Sequence, residues 1–150
     1  MRGLDRKRRL TSESEAGYTL TEMLVVVGII GLIAAVLTPT LIGQLGRARA
    51  KAAQLQLKTV SAEVEMFMAD VGRYPTAAEG LPALVKEPTG VEGWTGPYMR
   101  DEESLRDPWG RPIRYTVGAD GQGYVLVSLG ADGKEGGSGV GRDLRAPAGQ

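Results

Sequence analysis

The chain has 150 residues, with 18 basic and 18 acidic side chains, no Cys and no His. That length holds one small domain plus a stem, and without Cys a domain outside the cytoplasm cannot rely on disulfides. Without His the commonest general base and the commonest zinc ligand are missing, so the composition points away from an enzyme, and the balanced charge leaves no basic footprint for nucleic acid.

Residues 1–17 form a basic leader carrying Arg2, Arg6, Lys7, Arg8 and Arg9, and they end on the small pair Ala16-Gly17. Tyr18-Thr19-Leu20-Thr21-Glu22 follows, and from Met23 to Gly46 no residue is charged. About 20 apolar residues at 1.5 Å each cross a hydrocarbon core of roughly 30 Å. A secretory signal has a shorter apolar core with its cleavage point behind it; here the Gly stands in front. A plain uncleaved anchor is the competing reading. Basic residues ahead of the span keep the N-terminus in the cytoplasm and send the rest to the far side under either reading. Glu22, the one acid at the lip of the run, is costly there unless it has a partner, which marks it as functional.

Residues 18–71 predict one long helix. Its apolar half, 18–46, is the membrane span. Gly28, Gly31 and Pro39 interrupt it, and Pro39, with no N–H for residue 35, gives either a harmless kink or a place where the helix loosens. Beyond Arg47 the pattern turns amphipathic. Ala50, Ala53, Leu57, Val60, Val64, Phe67 and Val71 recur at steps of three and four, one stripe to lay on a sheet. The head is therefore expected over 47–150, including this second half of the helix.

Gly72 and Pro75 end the helix. Thr76-Ala77-Ala78-Glu79 reads as a capping box opening a short helix to about Lys86, with Leu81, Leu84 and Val85 inward and Pro82 weakening it only slightly. Residues 88–112 predict an ordered loop in which Trp94, Tyr98 and Trp109 supply most of the buried surface. Asp101, Glu102, Glu103 and Asp107 read there as a solvated acidic run. Ile113–Val117 and Tyr124–Leu129 are strands joined by a hairpin at Asp120-Gly121. A third short strand near Tyr98-Met99 would complete a small antiparallel sheet. The fold class is α+β.

The segment Leu129–Asp143 is Gly-rich, with Asp132 and Asp143 near its ends. Glycines that free backbone carbonyls, together with hard carboxylate oxygens, suit Ca²⁺. The EF-hand spacing is absent, and on the residues alone a flexible turn is the better reading. A phosphate cradle at Gly136–Gly141 opens no helix and lacks the Lys-Ser/Thr ending.

Gly17, Tyr18 and Glu22 together resemble the class III signal of type IV pilins and pseudopilins. Gly72-Arg73-Tyr74-Pro75-Thr76, Glu79-Gly80-Leu81, Ala83-Leu84-Val85, Gly96-Pro97-Tyr98, Asp107-Pro108-Trp109-Gly110 and Ser128-Leu129-Gly130-Ala131-Asp132-Gly133 follow in order. Over Gly17 to Leu144 the chain thus resembles the major pseudopilins of the type II secretion system. The resemblance implies cleavage after Gly17 by a prepilin peptidase, methylation of Tyr18 and retention of the apolar helix. Tyr18 replaces the usual Phe and keeps the ring. It also implies a homopolymer built through the helix, with Thr19, Glu22 and Pro39 in assembly, and no catalysis. Residues i and i+4 share a helix face, so the freed amine of one copy can meet Glu22 of its neighbour. The implied partners are minor pseudopilins, an inner-membrane platform and the peptidase. The implied location is the inner membrane with a periplasmic head, and then a periplasmic filament that exports folded proteins.

The resemblance further implies a structural Ca²⁺ on Asp132 and Asp143, with backbone carbonyls from Leu129 and Ser138. Gly141 departs from the family, which often has an acid there, and Arg142 is expected to compete for Asp143. Two other functions stand against this one. Type IV pilus subunits often carry a C-terminal disulfide and a larger sheet, and the missing Cys and the Gly-rich ending argue against that reading. A non-polymerising anchored binding module would have no use for Glu22.

Overall fold

In a computed structural model, residues 17–147 are described. Apart from Gly17, the expected leader lies outside them. The chain divides into two compact units, Met1–Thr40 and Leu41–Gln150. Helix α1, Leu20–Val71, contributes to both.

In the first unit every described residue is exposed. The helix continues through Pro39. The Thr38 hydroxyl donates to the Ala34 carbonyl at 2.6 Å, a local bond of a kind that often accompanies a bend.

In the second unit the stripe is buried as its spacing requires. Ala53, Leu57, Val60, Val64 and Phe67 face inward, while Leu55, on the opposite side, is 67% exposed. They pack on a three-stranded antiparallel sheet of β1 (Arg114–Val117), β2 (Tyr124–Ser128) and β3 (Leu144–Ala146), in that order. Side chains alternate between sheet faces, so Tyr124, Leu126 and Ser128 go inward and Val125 and Val127 do not. Burial pushes the Tyr115 and Tyr124 phenols up to about 12. The Tyr124 hydroxyl donates to the Ser61 carbonyl at 3.0 Å, tying sheet to helix.

Three expectations need correction. No strand forms at Tyr98-Met99; instead the two N–H groups donate to the Leu84 carbonyl at 2.8 and 2.9 Å. The third strand is β3, which pairs with β2 through Leu126↔Ala146, Val127↔Arg145 and Ser128↔Leu144. The helix expected after the capping box is only a turn followed by a 3₁₀ helix over Leu81–Leu84. Gly80 sits at φ 57, ψ −161, far from helical values, and Pro82 has no N–H, so an α-helix cannot propagate. Trp109, expected in the core, instead packs against Arg111 with the guanidinium carbon 5.5 Å from the ring centre. Leu105 and Met99 are the buried apolar residues of that loop.

The capping box itself forms. Thr76 N–H donates to Glu79 Oε2 at 2.8 Å and Glu79 N–H to Thr76 Oγ1 at 3.3 Å. Arg73 closes a two-pronged pair on the same carboxylate at 2.7 and 2.8 Å. The Arg73 guanidinium first, and then the Thr76 bonds, hold the Glu79 carboxyl at about 2, below its ordinary 4.5. A depressed carboxyl contributes stability that is complete above its unfolded value and lost as pH falls toward the folded one. Arg73 is 41% exposed, so water screens the pair and its contribution is about 1–2 kcal/mol. Glu79→Gln is expected to lose that amount at pH 7, and the gap from wild type should close between pH 4.5 and 2. Denaturant unfolding at the two extremes checks it; a gap unchanged at low pH would rule out the ion pair as the cause.

Candidate functional site

Two stretches carry the chemistry that the residues suggest. The first lies at the start of α1. Gly17, Tyr18 and Thr19 precede the helix, and Gly17 and Tyr18 are exposed. Thr19 caps the helix: its Oγ1 accepts the Glu22 N–H at 3.2 Å and its carbonyl accepts the Met23 N–H at 3.2 Å. Thr19-Leu20-Thr21-Glu22 has the same T-x-x-E spacing as the box at Thr76. That spacing gives Thr19 a local task that the sequence reading passed over. Glu22, in the first turn, also lies where the helix dipole favours an anion. Its side chain is exposed and free to meet another molecule.

The second stretch is the loop between β2 and β3. Lys134 N–H donates to Asp132 Oδ1 at 3.1 Å, leaving Oδ2 turned toward the loop. A Cβ built on Gly137 or Gly141 would lie 2.9 Å from that Oδ2. At Gly137 it would also clash with the Gly141 carbonyl oxygen, with φ at 77°. Only glycine fits so close an approach in the left-handed region. Gly141 leaves Asp132 room that an acid in its place would crowd.

Asp143 comes from the other end. Its N–H donates to the Gly136 carbonyl at 3.0 Å, and its Oδ2 accepts the Gly136 N–H at 3.1 Å. Its Oδ1 is buried with no hydrogen-bond partner. A buried carboxylate oxygen left bare is costly and is a fit place for a cation. Leu129 lines one cleft with Asp143, Glu135 and Gly136. The Ser138 carbonyl accepts the Gly141 N–H at 3.0 Å, so the turn uses one of its lone pairs. Among the described residues no three acidic, His or Cys side chains gather into a metal cluster. A metal here would therefore take two carboxylates and backbone carbonyls, hard oxygens of the kind Ca²⁺ prefers.

The loop rests on a brace that the sequence reading misplaced. Asp107 is not solvated; it is 6% exposed. Its Oδ1 accepts N–H groups of Trp109 and Arg111 at 3.0 and 2.9 Å, and its Oδ2 accepts the Ser128 hydroxyl at 2.9 Å. Those bonds replace the water that it loses. Arg111 reaches from Asp107 to the Gly130 carbonyl, linking this turn to the start of the Gly-rich loop. Asp101, Glu102 and Glu103 are exposed, as expected. The turn at Asp107-Pro108-Trp109-Gly110 occupies one of its oxygens locally, and Ser128, 21 residues away, occupies the other.

Comparison with known proteins bears on the family and the fold. The family described as "Type II secretion system (T2SS), protein G" matches residues 40–146. The chain is similar to the type II secretion system core protein G of Xanthomonas campestris, at 38% identity over 87% of this chain and 89% of that one. The protein of the same name from Pseudomonas aeruginosa is 38% identical over 83% of this chain and 89% of its own. The counterpart from Vibrio cholerae is 35% identical over 87% and 90%. In fold, the chain is similar to the crystal structure of the major pseudopilin from the type 2 secretion system of enterohaemorrhagic Escherichia coli. The TM-score is 0.56 and the identity 26%, covering 72% of this chain and 94% of that one.

Proposed function

We propose, because this chain belongs to the type II secretion system protein G family, that its copies polymerise through the apolar half of α1 into a filament that drives folded proteins across the outer membrane. The chain is a major pseudopilin, and its family is one of structural subunits rather than enzymes. One observation carries the polymer. In the first unit every described residue of the long apolar helix is exposed, Leu24 at 67% and Val36 at 68%. So large an apolar surface needs lipid or other copies of itself, and α1 is long and apolar enough to cross a membrane.

In this reading the chain first sits in the inner membrane, with its N-terminus cytoplasmic and its head periplasmic. A prepilin peptidase cuts after Gly17 and methylates Tyr18. The freed amine of one copy then meets Glu22 of the next, which neutralises both charges inside the bundle and fixes their axial register. Minor pseudopilins and the inner-membrane platform are the remaining partners. Ca²⁺ would be held by Asp132 and Asp143 with the Leu129 and Ser138 carbonyls, neutralising two carboxylates and fastening the two ends of the loop. The bare Asp143 Oδ1 supports that part.

N-terminal sequencing of the native protein is expected to begin at Tyr18. Electron microscopy of membrane-released assemblies is expected to show filaments that shorten or vanish when calcium is chelated. Dispersed chains with the leader still attached would overturn the polymer; filaments indifferent to chelator would remove the metal and leave the polymer standing.

A further inference from the structure

Asp143 already has a cation beside it, and it is not the one adjacent in sequence. Among the described residues Arg142 makes no ion pair, whereas Arg145 Nη2 lies 3.9 Å from Asp143 Oδ2. The Arg145 side chain is 61% exposed and that of Asp143 only 10%. The guanidinium thus reaches a nearly buried carboxylate from the solvent side. The bare Oδ1 is the carboxylate's other oxygen. Register explains the approach. Val127 stands opposite Arg114 on one side and Arg145 on the other, so the two arginines and Val127 form one transverse row on one sheet face. Arg114 binds Glu135 at 2.7 Å, and Arg145 faces Asp143. One row of the sheet thus reaches both flanks of the Gly136–Arg142 segment.

Resting on the calcium reading above, we propose that Arg145 is a resident counter-ion for Asp143 that sets how tightly the loop takes a divalent cation. A cation arriving at Asp143 meets a carboxylate whose charge is partly spent, and a fixed positive charge a few ångströms away opposes it. Affinity is lower than the two carboxylates alone would give. Arg114 has a smaller effect, because Glu135 at 2.7 Å offsets its charge.

Calcium chloride titrated calorimetrically into the chelator-stripped, full-length protein in detergent tests this at pH 7 and constant ionic strength. Arg145→Gln is expected to bind roughly tenfold tighter than wild type. Arg145→Lys, which keeps the charge, should stay within about threefold, and Arg114→Gln within about twofold. A thermal melt of each metal-free variant shows that the fold is kept. Binding by Arg145→Gln at wild-type strength or weaker overturns the proposal while leaving the calcium reading intact. Equal tightening by Arg114→Gln also overturns it, since a general field rather than this pair would then be acting. A wild type that takes no calcium beside an Arg145→Gln chain that does supports it; binding by neither sinks both readings.

Discussion

Phe67→Ala is expected to cost the second unit about 3–5 kcal/mol. Phe67 is fully buried at 0% exposure, lies on the inward stripe of α1 and meets Tyr98 edge-on at 5.8 Å between ring centres. Truncation removes its transfer free energy and the aromatic contact, and leaves a cavity that α1 and the sheet cannot both close. A domain of this size has a total stability of about 5–15 kcal/mol, so the loss takes a large share of it. Leu55→Ala on the same helix, at a site 67% exposed, should change stability by less than about 0.5 kcal/mol. Chemical unfolding of the detergent-solubilised chain, followed by tyrosine and tryptophan signals, compares the two. A Phe67 variant within about 1 kcal/mol of wild type would mean that the stripe does not carry the core.

Glu22→Ala is expected to remove filaments while leaving the chain in the membrane. The local loss is small. The Thr19 hydroxyl still caps the Glu22 position through the backbone N–H, and a first-turn acid contributes only about 0.3–1 kcal/mol through the helix dipole. Between copies the loss is larger, because the amine freed at Tyr18 would enter an apolar bundle without its carboxylate. Breaking one side of a buried pair costs about 3–5 kcal/mol per contact, and a polymer repeats that cost at every subunit. Pelleted or cross-linked polymer should therefore fall by more than about tenfold, with membrane insertion unchanged. Glu22→Gln, which keeps size but not charge, should fail nearly as badly. Wild-type polymer yield from either variant would reduce Glu22 to a helix-end residue.

Much of the fold can be read along the chain because its causes are local. The three-and-four spacing of Ala53, Leu57, Val60, Val64 and Phe67 names the buried face before any partner is known. Thr76 and Glu79 exchange bonds across three residues, and the hairpin at Asp120-Gly121 needs only its own turn. The apolar run after Glu22 declares its need for a non-aqueous neighbour by composition alone. The short helix predicted after Thr76 is cut to a 3₁₀ turn because Gly80 leaves helical φ/ψ and Pro82 cannot donate.

Three facts waited for the folded chain, and one reason covers them. Leu144–Ala146 is a strand only because β2 offers it a free edge. Asp107 is buried because Ser128 and Arg111 replace its water. Arg145, rather than Arg142, faces Asp143 because strand register and the pleat aim it there. Local propensity and periodicity act over a few residues, so composition and spacing express them directly. Strand pairing, burial of a carboxylate and choice of an ionic partner depend on distances through space, which exist only after the chain has closed on itself.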